Sequence, residues 1–260
     1  MLPKIIHQIW LDKKGREGLP SEYPLYEEYS NTWKQHNGDF EYTLWTNALI
    51  EKLWELPELA KWKGFYEKLS KIIEKCDFSR CAILYVKGGL YVDLDFKCQK
   101  NISPLIKNRD VLVAYEPEEH FHKGRLTSNS ILGCAKNHPF FADFMDYIVD
   151  NYHYDPNVVH TTGPFALLRY MTKNDYLNSD YLVDTCSVIP YSKDGLSKEC
   201  TSSDDSYCYT YWNEGTNWHL GNGGEYIQQF WPYWLILLIL LIVAIYLSLW
   251  LNRGKFWYLP

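Results

Sequence analysis

The 260-residue sequence lacks several features that would each indicate a particular class of protein. Its 7 cysteines form no CxxC pair or other zinc-ligand spacing, which argues against a structural zinc site. It has no basic excess, since the formal net charge is -6, and this excludes a nucleic-acid binder held by charge. It has no internal repeat and no low-complexity linker. One folded domain of good size is therefore expected.

The odd number of cysteines leaves their redox state open. Four of them sit among apolar residues and are expected to be buried thiols, namely Cys76, Cys81, Cys98 and Cys134. Cys200 and Cys208 flank the polar stretch ECTSSDDSYC. In an oxidising compartment this pair could close a small loop.

Charge is absent from the end of the chain. Residues 230–251 read FWPYWLILLILLIVAIYLSLWL and contain no charged side chain. A helix of about 20 apolar residues spans a bilayer, and aromatic residues at both ends match the interfacial belts of membrane proteins. The sequence predicts a transmembrane helix over residues 230–251 and a short basic tail over residues 252–260.

Two features of the sequence disagree about the side of the membrane on which the main domain lies. Arg253 and Lys255 favour a cytoplasmic C-terminus by the positive-inside rule. The opening residues, MLPKIIHQIW, are too short and too polar for a signal peptide, and a single C-terminal span without a signal leaves the main domain in the cytosol. We favour the cytosolic side, with the Golgi or ER lumen as the alternative.

Upstream of the span, predicted strands and helices alternate. The stretches KIIHQIW, FEYTLWT, LYVDLDF and DVLVAYE each predict a strand. Helices are predicted for SEYPLYEEYSNTWKQHNG, for a segment that Asn47 caps, for residues 58–87 and for HPFFADFMDYIVDNY. This alternation predicts an α/β sandwich with a largely parallel sheet.

Asp93 and Asp95 place two carboxylates in a strand that otherwise reads as buried. Residues i and i+2 of a strand share a face, so both carboxylates are predicted to project together. Mg²⁺ or Mn²⁺ between them would offset the charge and clamp a diphosphate. The alternative is a pair of solvated aspartates in a loop, and a bare DxD occurs by chance in many chains.

Asp77 and Arg80 are three residues apart on the preceding helix and therefore share a helix face. That face is predicted to point back at the end of the strand, whereas a surface ion pair is the alternative. The histidines carry weaker indications of chemistry. His7 is expected to be a satisfied core histidine, and His138 is expected to have a structural role at the start of a helix.

The stretch CDFSRCAILYVKGGLYVDLDF resembles the core of glycosyltransferase family 32, which reads D-x-x-R and then G-G-x-Y-x-D-x-D. PKIIHQIW is similar to the opening strand of that family. NSILGCAKNHPFF and HTTGPFALL resemble segments of its inositol-phosphoceramide mannosyltransferase branch, and EGTNWH resembles a C-terminal element that closes over the donor. The resemblance covers approximately residues 2–219.

The resemblance implies a GT-A-like, Rossmann-type nucleotide-sugar-binding fold over residues 1–229, with a mostly parallel central sheet. It implies a retaining hexosyltransferase, such as a mannosyltransferase, that uses Mn²⁺ or Mg²⁺. The donor would be GDP-mannose or a UDP-sugar, and the acceptor a lipid such as inositol phosphoceramide. Alternatives are a glycan or capsule-like polysaccharide acceptor, and an inactive nucleotide-sugar-binding protein held at a membrane.

The mechanism implied by the resemblance is a front-face displacement. The sequence has no Ser-His-Asp set and no obvious carboxylate poised as a covalent nucleophile. This absence fits the displacement that the resemblance implies, in which the leaving phosphate itself deprotonates the acceptor hydroxyl. The enzyme would mainly position both substrates and stabilise charge.

The resemblance also implies roles for the motif residues. Asp95 would bind the metal directly, and Asp93 would hold the ribose and reach the metal. Asp77 and Arg80 would contact the sugar hydroxyls and the diphosphate. Asn129 would face the sugar from the middle of the sheet, although an asparagine next to a serine can equally cap a turn.

Further roles fall near the two ends of the region of resemblance. Trp10 would stack on the nucleotide base, and Trp218 would lie near the leaving group. Thr216 would add a metal or phosphate contact. Either Asn213 or its neighbour Glu214 would reach the metal.

Overall fold

A mixed β-sheet forms the centre of the computed structural model, which describes residues 1–19, 21–120, 124–155, 157–192 and 194–210. All of these residues belong to the first of two compact units, Met1–Gly215. The strands within the described residues are β1 (Ile5–Ile9), β2 (Glu41–Trp45), β3 (Gly89–Val92), β4 (Lys97–Cys98), β5 (Val111–Tyr115), β6 (Thr127–Cys134), β7 (Leu182–Val183), β8 (Tyr191–Ser192), β9 (Gly195–Leu196) and β10 (Cys208–Tyr209).

Helices connect most of these strands. In chain order they are α1 (Pro24–His36), α2 (Asn47–Trp54), α3 (Ala60–Lys68), α4 (Ile72–Lys87), α5 (Ser103–Ile106), α6 (Pro139–Asn151), α7 (Val158–Thr161), α8 (Pro164–Lys173) and α9 (Thr185–Val188). Short 3-10 turns cover Pro57–Leu59, Glu118–His120 and Tyr176–Asn178.

The main sheet has the strand order β2-β1-β3-β6-β5-β7. β6 runs antiparallel to both of its neighbours, and the other five strands all run in the opposite direction to β6. The prediction of an α/β fold with a mostly parallel sheet is therefore confirmed. β6 was not among the predicted strands.

Helices cover both faces of the sheet because the side chains of its strands alternate between two apolar clusters. In β5, Val111 and Val113 join one cluster, and Leu112 and Ala114 join the other. The first cluster receives α2, α3, α4, α6 and α8. The second receives α1, α5 and α9. This three-layer arrangement buries the sheet and leaves its strand ends to form a site.

A Gly-Gly turn reverses the chain between α4 and β3. Gly88 and Gly89 have φ angles of 70° and 97°, which residues with a side chain rarely adopt. A Cβ atom on Gly89 would lie 2.5 Å from the carbonyl oxygen of Ile5. The two glycines therefore allow β3 to start against β1, as the position of this pair in the sequence predicts.

Two details of the predicted helices are wrong. The helical pattern over residues 58–87 is divided into a 3-10 turn, α3 and α4, because residues 69–71 leave the helical conformation. Asn47 does not cap α2, since it is the first residue of that helix and no side-chain cap bond forms there. Its amide instead bonds the backbone N–H and carbonyl of Asp12, and so ties α2 to the end of β1.

The disulfide in the described residues joins Cys186 to Cys200, across a Cα–Cα distance of 5.5 Å. The suggested bridge between Cys200 and Cys208 is therefore wrong. Cys208 is a buried thiol on β10, directly opposite Cys98 on β4. The expected buried thiols agree with the structure, although Cys76 is only partly buried.

Within the described ranges, no helix has the length and apolar character needed to cross a membrane. The predicted span over residues 230–251 and the tail over residues 252–260 lie outside those ranges.

Candidate active site

Arg80 joins the parts of the predicted site. It lies on α4 with its side chain 4% exposed, and its guanidinium is 2.9 Å from the Asp77 carboxylate and 3.4 Å from the Asp93 carboxylate. It also donates to the backbone carbonyl of Asn129 and stacks over the ring of Tyr91 at 4.5 Å. A buried arginine is tolerated only with such partners. The surface-pair interpretation of Asp77 and Arg80 is therefore wrong.

Asp93 lies just beyond the end of β3. The strand ends at Val92, and Asp93 to Phe96 form a turn in which the Phe96 N–H donates to the Asp93 carbonyl. The prediction that both aspartates lie inside a strand is therefore wrong, because the chain turns where the polar residues begin. Asp93 stays on the Arg80 side of the sheet, where it accepts a hydrogen bond of 2.5 Å from the Tyr91 hydroxyl.

Asn129 reaches the site through an irregularity in β6. Opposite β5, Val113 pairs with Leu132 but Ala114 pairs with Ser128, so Asn129 to Ile131 bulge out of that ladder. The bulge points the Asn129 amide at Asp77 Oδ1, at 3.0 Å. Asn129 therefore lies beside Asp77 on a strand in the middle of the sheet, and its contact with the donor sugar stays a prediction.

A second contact holds Asp77 from the opposite side. The hydroxyl of Thr162, directly after α7, donates to Asp77 Oδ2 at 2.8 Å. Burial raises the pKa of Asp77 to about 6, although Arg80 and the Thr162 hydrogen bond act in the opposite direction. Asp77 is thus an enclosed carboxylate with a defined orientation.

Asp95 lies in the turn, close to other negative charges. Burial and the charge of Asp93 raise the pKa of Asp95 to about 7, while a hydrogen bond from Thr210 acts in the opposite direction. Glu116, a buried residue just after β5, adds to the negative charge felt by both aspartates. The Nδ1 atom of His120 lies 3.0 Å from the Glu116 carboxylate.

A cavity of about 450 Å³ lies beyond the carboxyl ends of β1 and β2, and its lining does not include the residues of the Arg80 network. It is lined by residues that follow β1 and β2 and by the first turn of α4, including Leu11, Asp12, Asn47, Glu51, Ile72 and Lys75. Its volume falls within the range of small-ligand sites. The carboxyl ends of parallel strands are also where open α/β sheets bind nucleotides.

Trp10 does not line this cavity. Its ring packs against Tyr23 and Tyr26, with centroid distances of 5.6 and 5.8 Å. Its indole N–H is buried and has no hydrogen-bond partner in the part of the chain that the structure describes. A stacking role on a base stays a prediction.

Comparison with known proteins assigns the chain to a family. Residues 25–112 match the model of a glycosyltransferase sugar-binding region containing a DXD motif. An uncharacterized glycosyltransferase of Acanthamoeba polyphaga mimivirus is 30% identical over 228 residues, which are 84% of each chain. The chain belongs to the DXD-motif glycosyltransferases of family 32. It is an enzyme that transfers hexose units.

Another relative of this glycosyltransferase is named as an inositol phosphoceramide mannosyltransferase. Inositol phosphoceramide mannosyltransferase 3 of Schizosaccharomyces pombe is 30% identical over 179 residues, or 64% of the present chain. The match spans only 44% of the yeast protein. Among solved structures, PaToxG Glycosyltransferase has a TM-score of 0.52 at 18% identity and covers 69% of the present chain and 73% of its own. That likeness supports the GT-A-like fold.

The donor atoms of the DXD turn fit a hard divalent cation. Asp93 and Asp95 supply carboxylate oxygens, which Mn²⁺ and Mg²⁺ prefer. Arg80 lies 3.4 Å from the Asp93 carboxylate. Among the described residues, no cationic side chain lies that close to the Asp95 carboxylate, whose pKa is raised by burial and by the charge of Asp93. Within those residues no three acidic, histidine or cysteine side chains form a complete metal site. The predicted ligands Asn213 and Thr216, like Glu214 and the predicted donor contact Trp218, lie outside the described residues.

Three residues of the glycosyltransferase site were not predicted. The role of Tyr91 could have been predicted, because residues i and i+2 of a strand point to the same face and Tyr91 is two residues before Asp93. Thr162 lies in the HTTGPFALL segment that resembles the family, but nothing in that segment indicates which side chain it contacts. No feature of the sequence indicates a role for Thr210.

His7 and His138 have the structural roles that the sequence predicts. His7 is buried, and both of its ring nitrogens form hydrogen bonds. His138 accepts a hydrogen bond from the backbone N–H of Phe140 in the first turn of α6.

Proposed function

We propose that the chain is a metal-dependent, retaining glycosyltransferase that moves a hexose from a nucleotide sugar to a lipid acceptor. The observation that carries this proposal is the Arg80 network, in which one buried guanidinium holds Asp77, Asp93 and the Asn129 carbonyl together. Removing so many charges from water is costly unless they serve a ligand or are fully paired. A chain that had lost catalysis would have no need of the arrangement.

In this proposal Asp77 and Asn129 hold the hydroxyls of the donor sugar, and Arg80 contacts the diphosphate. The Nε of Arg80 is buried and has no hydrogen-bond partner within the described ranges. An unused N–H donor of this kind suits an anionic ligand. The nucleoside would occupy the cavity at the ends of β1 and β2.

Asp95 and Asp93 would hold Mn²⁺ or Mg²⁺. When bound, the cation would stabilise negative charge on the diphosphate leaving group. Thr210 would orient Asp95 through its hydrogen bond. Arg80 and Tyr91 would fix the orientation of Asp93 in the same way.

The arrangement supports a displacement without a protein nucleophile. Asp77 is the carboxylate best placed beside the sugar, yet both of its oxygens accept hydrogen bonds. Such a carboxylate is suited to holding hydroxyls and poorly suited to forming a bond to carbon. The chain would supply orientation and charge stabilisation, and the leaving phosphate would take the acceptor proton.

The acceptor proposed here is an inositol-phosphoceramide-like lipid, with GDP-mannose as donor. Its support is the name of the fission-yeast relative and the resemblance of HTTGPFALL and HPFF to that branch. The predicted helix over residues 230–251 would hold the site near a lipid surface.

The test is a donor-hydrolysis assay with purified protein and Mn²⁺. GDP-mannose, UDP-glucose, UDP-galactose and UDP-N-acetylglucosamine are offered in turn, and the fastest donor is then tested with vesicles containing inositol phosphoceramide. We expect hydrolysis of one donor, its loss in Asp95→Ala, and its retention in Asp143→Ala on the exposed face of α6.

Three results would overturn parts of the proposal. Hydrolysis that survives Asp95→Ala would remove the metal role. Nucleotide binding without hydrolysis of any donor would favour an inactive binding protein. Transfer to a soluble glycan but not to the lipid would replace the acceptor.

We further propose that the catalytic domain folds in an oxidising lumen. The Cys186–Cys200 disulfide supports this side, because disulfides persist in such compartments and are rare in the cytosol. The N-terminal residues led to the opposite expectation. Protease treatment of sealed microsomes tests the proposal, since a lumenal domain stays intact and a cytosolic domain is digested.

A further inference from the structure

Thr162 is a buried residue to which the transfer reaction assigns no role. It follows α7 within the segment HTTGPFALL, and it is only 1% exposed. Its hydroxyl donates to Asp77 Oδ2 across a sequence separation of 85 residues. A hydroxyl buried at this depth normally serves a specific partner, and here that partner is the carboxylate proposed to hold the donor sugar.

The carboxylate of Asp77 has little acceptor capacity left. Its two oxygens offer about four acceptor positions. Arg80 and Asn129 both approach Oδ1, at 2.9 and 3.0 Å, whereas Thr162 approaches Oδ2 at 2.8 Å. The described residues therefore leave room on Oδ2 for about one more hydrogen bond, which suits one sugar hydroxyl.

The plane of this carboxylate depends on the Oδ2 contact. The terminal torsion of an aspartate has a broad energy profile, so the donors that contact its two oxygens set the torsion. Thr162 is the hydrogen-bond partner of Oδ2 among the described residues. Without its hydroxyl, the described donors would restrain the torsion from the Oδ1 side alone, and the carboxylate would rotate over a wider range.

We infer that Thr162 is a positioning residue that orients Asp77 toward the hydroxyls of the donor sugar. The inference rests on the proposed function, in which Asp77 contacts that sugar. Thr162 acts on the sugar through Asp77 and is not itself a catalytic residue. Its loss should affect the nucleotide sugar and spare the nucleoside diphosphate, which lacks the hydroxyls that Asp77 holds.

The chain offers a matched control one residue away. The hydroxyl of Thr161 donates to Glu74 Oε1 at 2.9 Å, and Glu74 is a fully buried carboxylate one turn before Asp77 in α4. Glu74 also accepts from Tyr152 at 3.2 Å. It has no hydrogen bond to Arg80, Asp93 or Asn129 within the described ranges. Thr161 and Thr162 thus each donate to a carboxylate, of which only Asp77 belongs to the donor network, although the Thr161 hydroxyl also lies 3.2 Å from the Val158 carbonyl.

The experiment compares Thr162→Val, Thr162→Ser and Thr161→Val with the wild type. Donor hydrolysis in Mn²⁺ gives kcat and KM for the nucleotide sugar that the wild type hydrolyses fastest. Calorimetry gives the Kd of the matching nucleoside diphosphate, and urea unfolding gives stability.

Thr162→Val should lower kcat/KM for the nucleotide sugar by about 10- to 100-fold, the size of loss expected from a misplaced binding group. The Kd of the nucleoside diphosphate should stay unchanged. Thr162→Ser should restore kcat/KM, because it restores the hydroxyl. Thr161→Val should lose stability and retain kcat/KM.

Each contrary result has a distinct meaning. A wild type that neither hydrolyses nucleotide sugars nor binds nucleoside diphosphates overturns the proposed function, and the inference with it. An active wild type with an equally active Thr162→Val overturns the inference alone. Equal losses in Thr161→Val and Thr162→Val overturn it as well, since they indicate a general packing effect. If Thr162→Val does not fold, Thr162→Cys replaces it, because a thiol keeps the volume and donates only weakly.

Discussion

The guanidinium of Arg80 lies 3.4 Å from the carboxylate of Asp93, although one residue belongs to a helix and the other to the turn after a strand. The Gly-Gly turn makes this contact possible, because it reverses the chain between α4 and β3 within two residues. A D-x-x-R helix and a D-x-D turn thereby become one charged network.

Arg80→Met should destabilise the protein by about 3–5 kcal/mol, because it leaves the buried carboxylate of Asp77 and the partly exposed carboxylate of Asp93 without their cation. Arg80→Lys should cost less stability but should still impair donor hydrolysis, since an ammonium cannot reproduce the planar fork. Urea unfolding measures the first effect, and the donor assay measures the second. Lys63→Met is the control, because it removes an exposed pair with Glu55 that is worth less than about 1 kcal/mol. A fully stable Arg80→Met would contradict the network.

His7 should make stability depend on pH. Its ring donates to the Gly88 carbonyl through Nε2 at 2.8 Å and accepts from the Trp45 indole through Nδ1 at 3.1 Å, so it is held neutral. Burial lowers the pKa of His7 to about 4, below its usual value of 6.5. As pH falls, His7 therefore binds a proton in the unfolded chain at a higher pH than in the folded chain. Stability should be lost between about pH 6.5 and 4, by about 3 kcal/mol.

Urea unfolding of the wild type and His7→Gln across this pH range checks the assignment. The variant has no titrating ring, so its stability should fall less steeply between those pH values. Parallel pH profiles for the two proteins would show that His7 does not titrate in this way.

Gly89→Ala should destabilise the fold by more than about 2 kcal/mol, since it combines an unfavourable φ with a backbone clash. The added Cβ would lie 2.5 Å from the Ile5 carbonyl oxygen of β1. Gly64→Ala is the control, because nothing lies within 4 Å of its Cβ position on α3. That change should stabilise the protein by about 0.5–1 kcal/mol. Thermal unfolding compares the two, and an equally tolerated Gly89→Ala would argue against the tight turn.

The pairing of the cysteines can be determined by mass spectrometry of peptides from a digest. Digestion without reductant should release a peptide pair joined through Cys186 and Cys200, with Cys208 as a free thiol. Cys200→Ser should cost about 3 kcal/mol under oxidising conditions, the value expected for a loop of this length. Cys208→Ala should leave the cross-linked peptide unchanged. A peptide joined through Cys200 and Cys208 would contradict the structure.

Much of the site could be predicted from sequence because its main parts are close along the chain. Asp77, Arg80, the glycine pair and the two aspartates lie within residues 77–95, where helix and turn geometry limit the possible arrangements. The position at which β3 ends was harder to predict. Asp93 and Asp95 leave the strand because a polar turn begins at Asp93, and strand periodicity alone cannot locate that change.

The remaining contacts could not be predicted because they join distant segments. Asn129 reaches Asp77 through a bulge in β6, and a single sequence does not reveal how two ladders of one strand differ in register. Thr162 reaches the same carboxylate from 85 residues away. Cys200 had two partners within reach along the chain, and the fold around α9 selects Cys186.

The central claim is that the Asp93–Asp95 turn binds a nucleotide together with a divalent cation. Calorimetric titration of GDP and UDP into the wild type, with Mn²⁺ or with EDTA, tests it most directly. We predict that one nucleotide binds in Mn²⁺, and that EDTA or Asp95→Ala weakens its binding by about tenfold or more. Equal affinity of the wild type in Mn²⁺ and in EDTA would contradict the account.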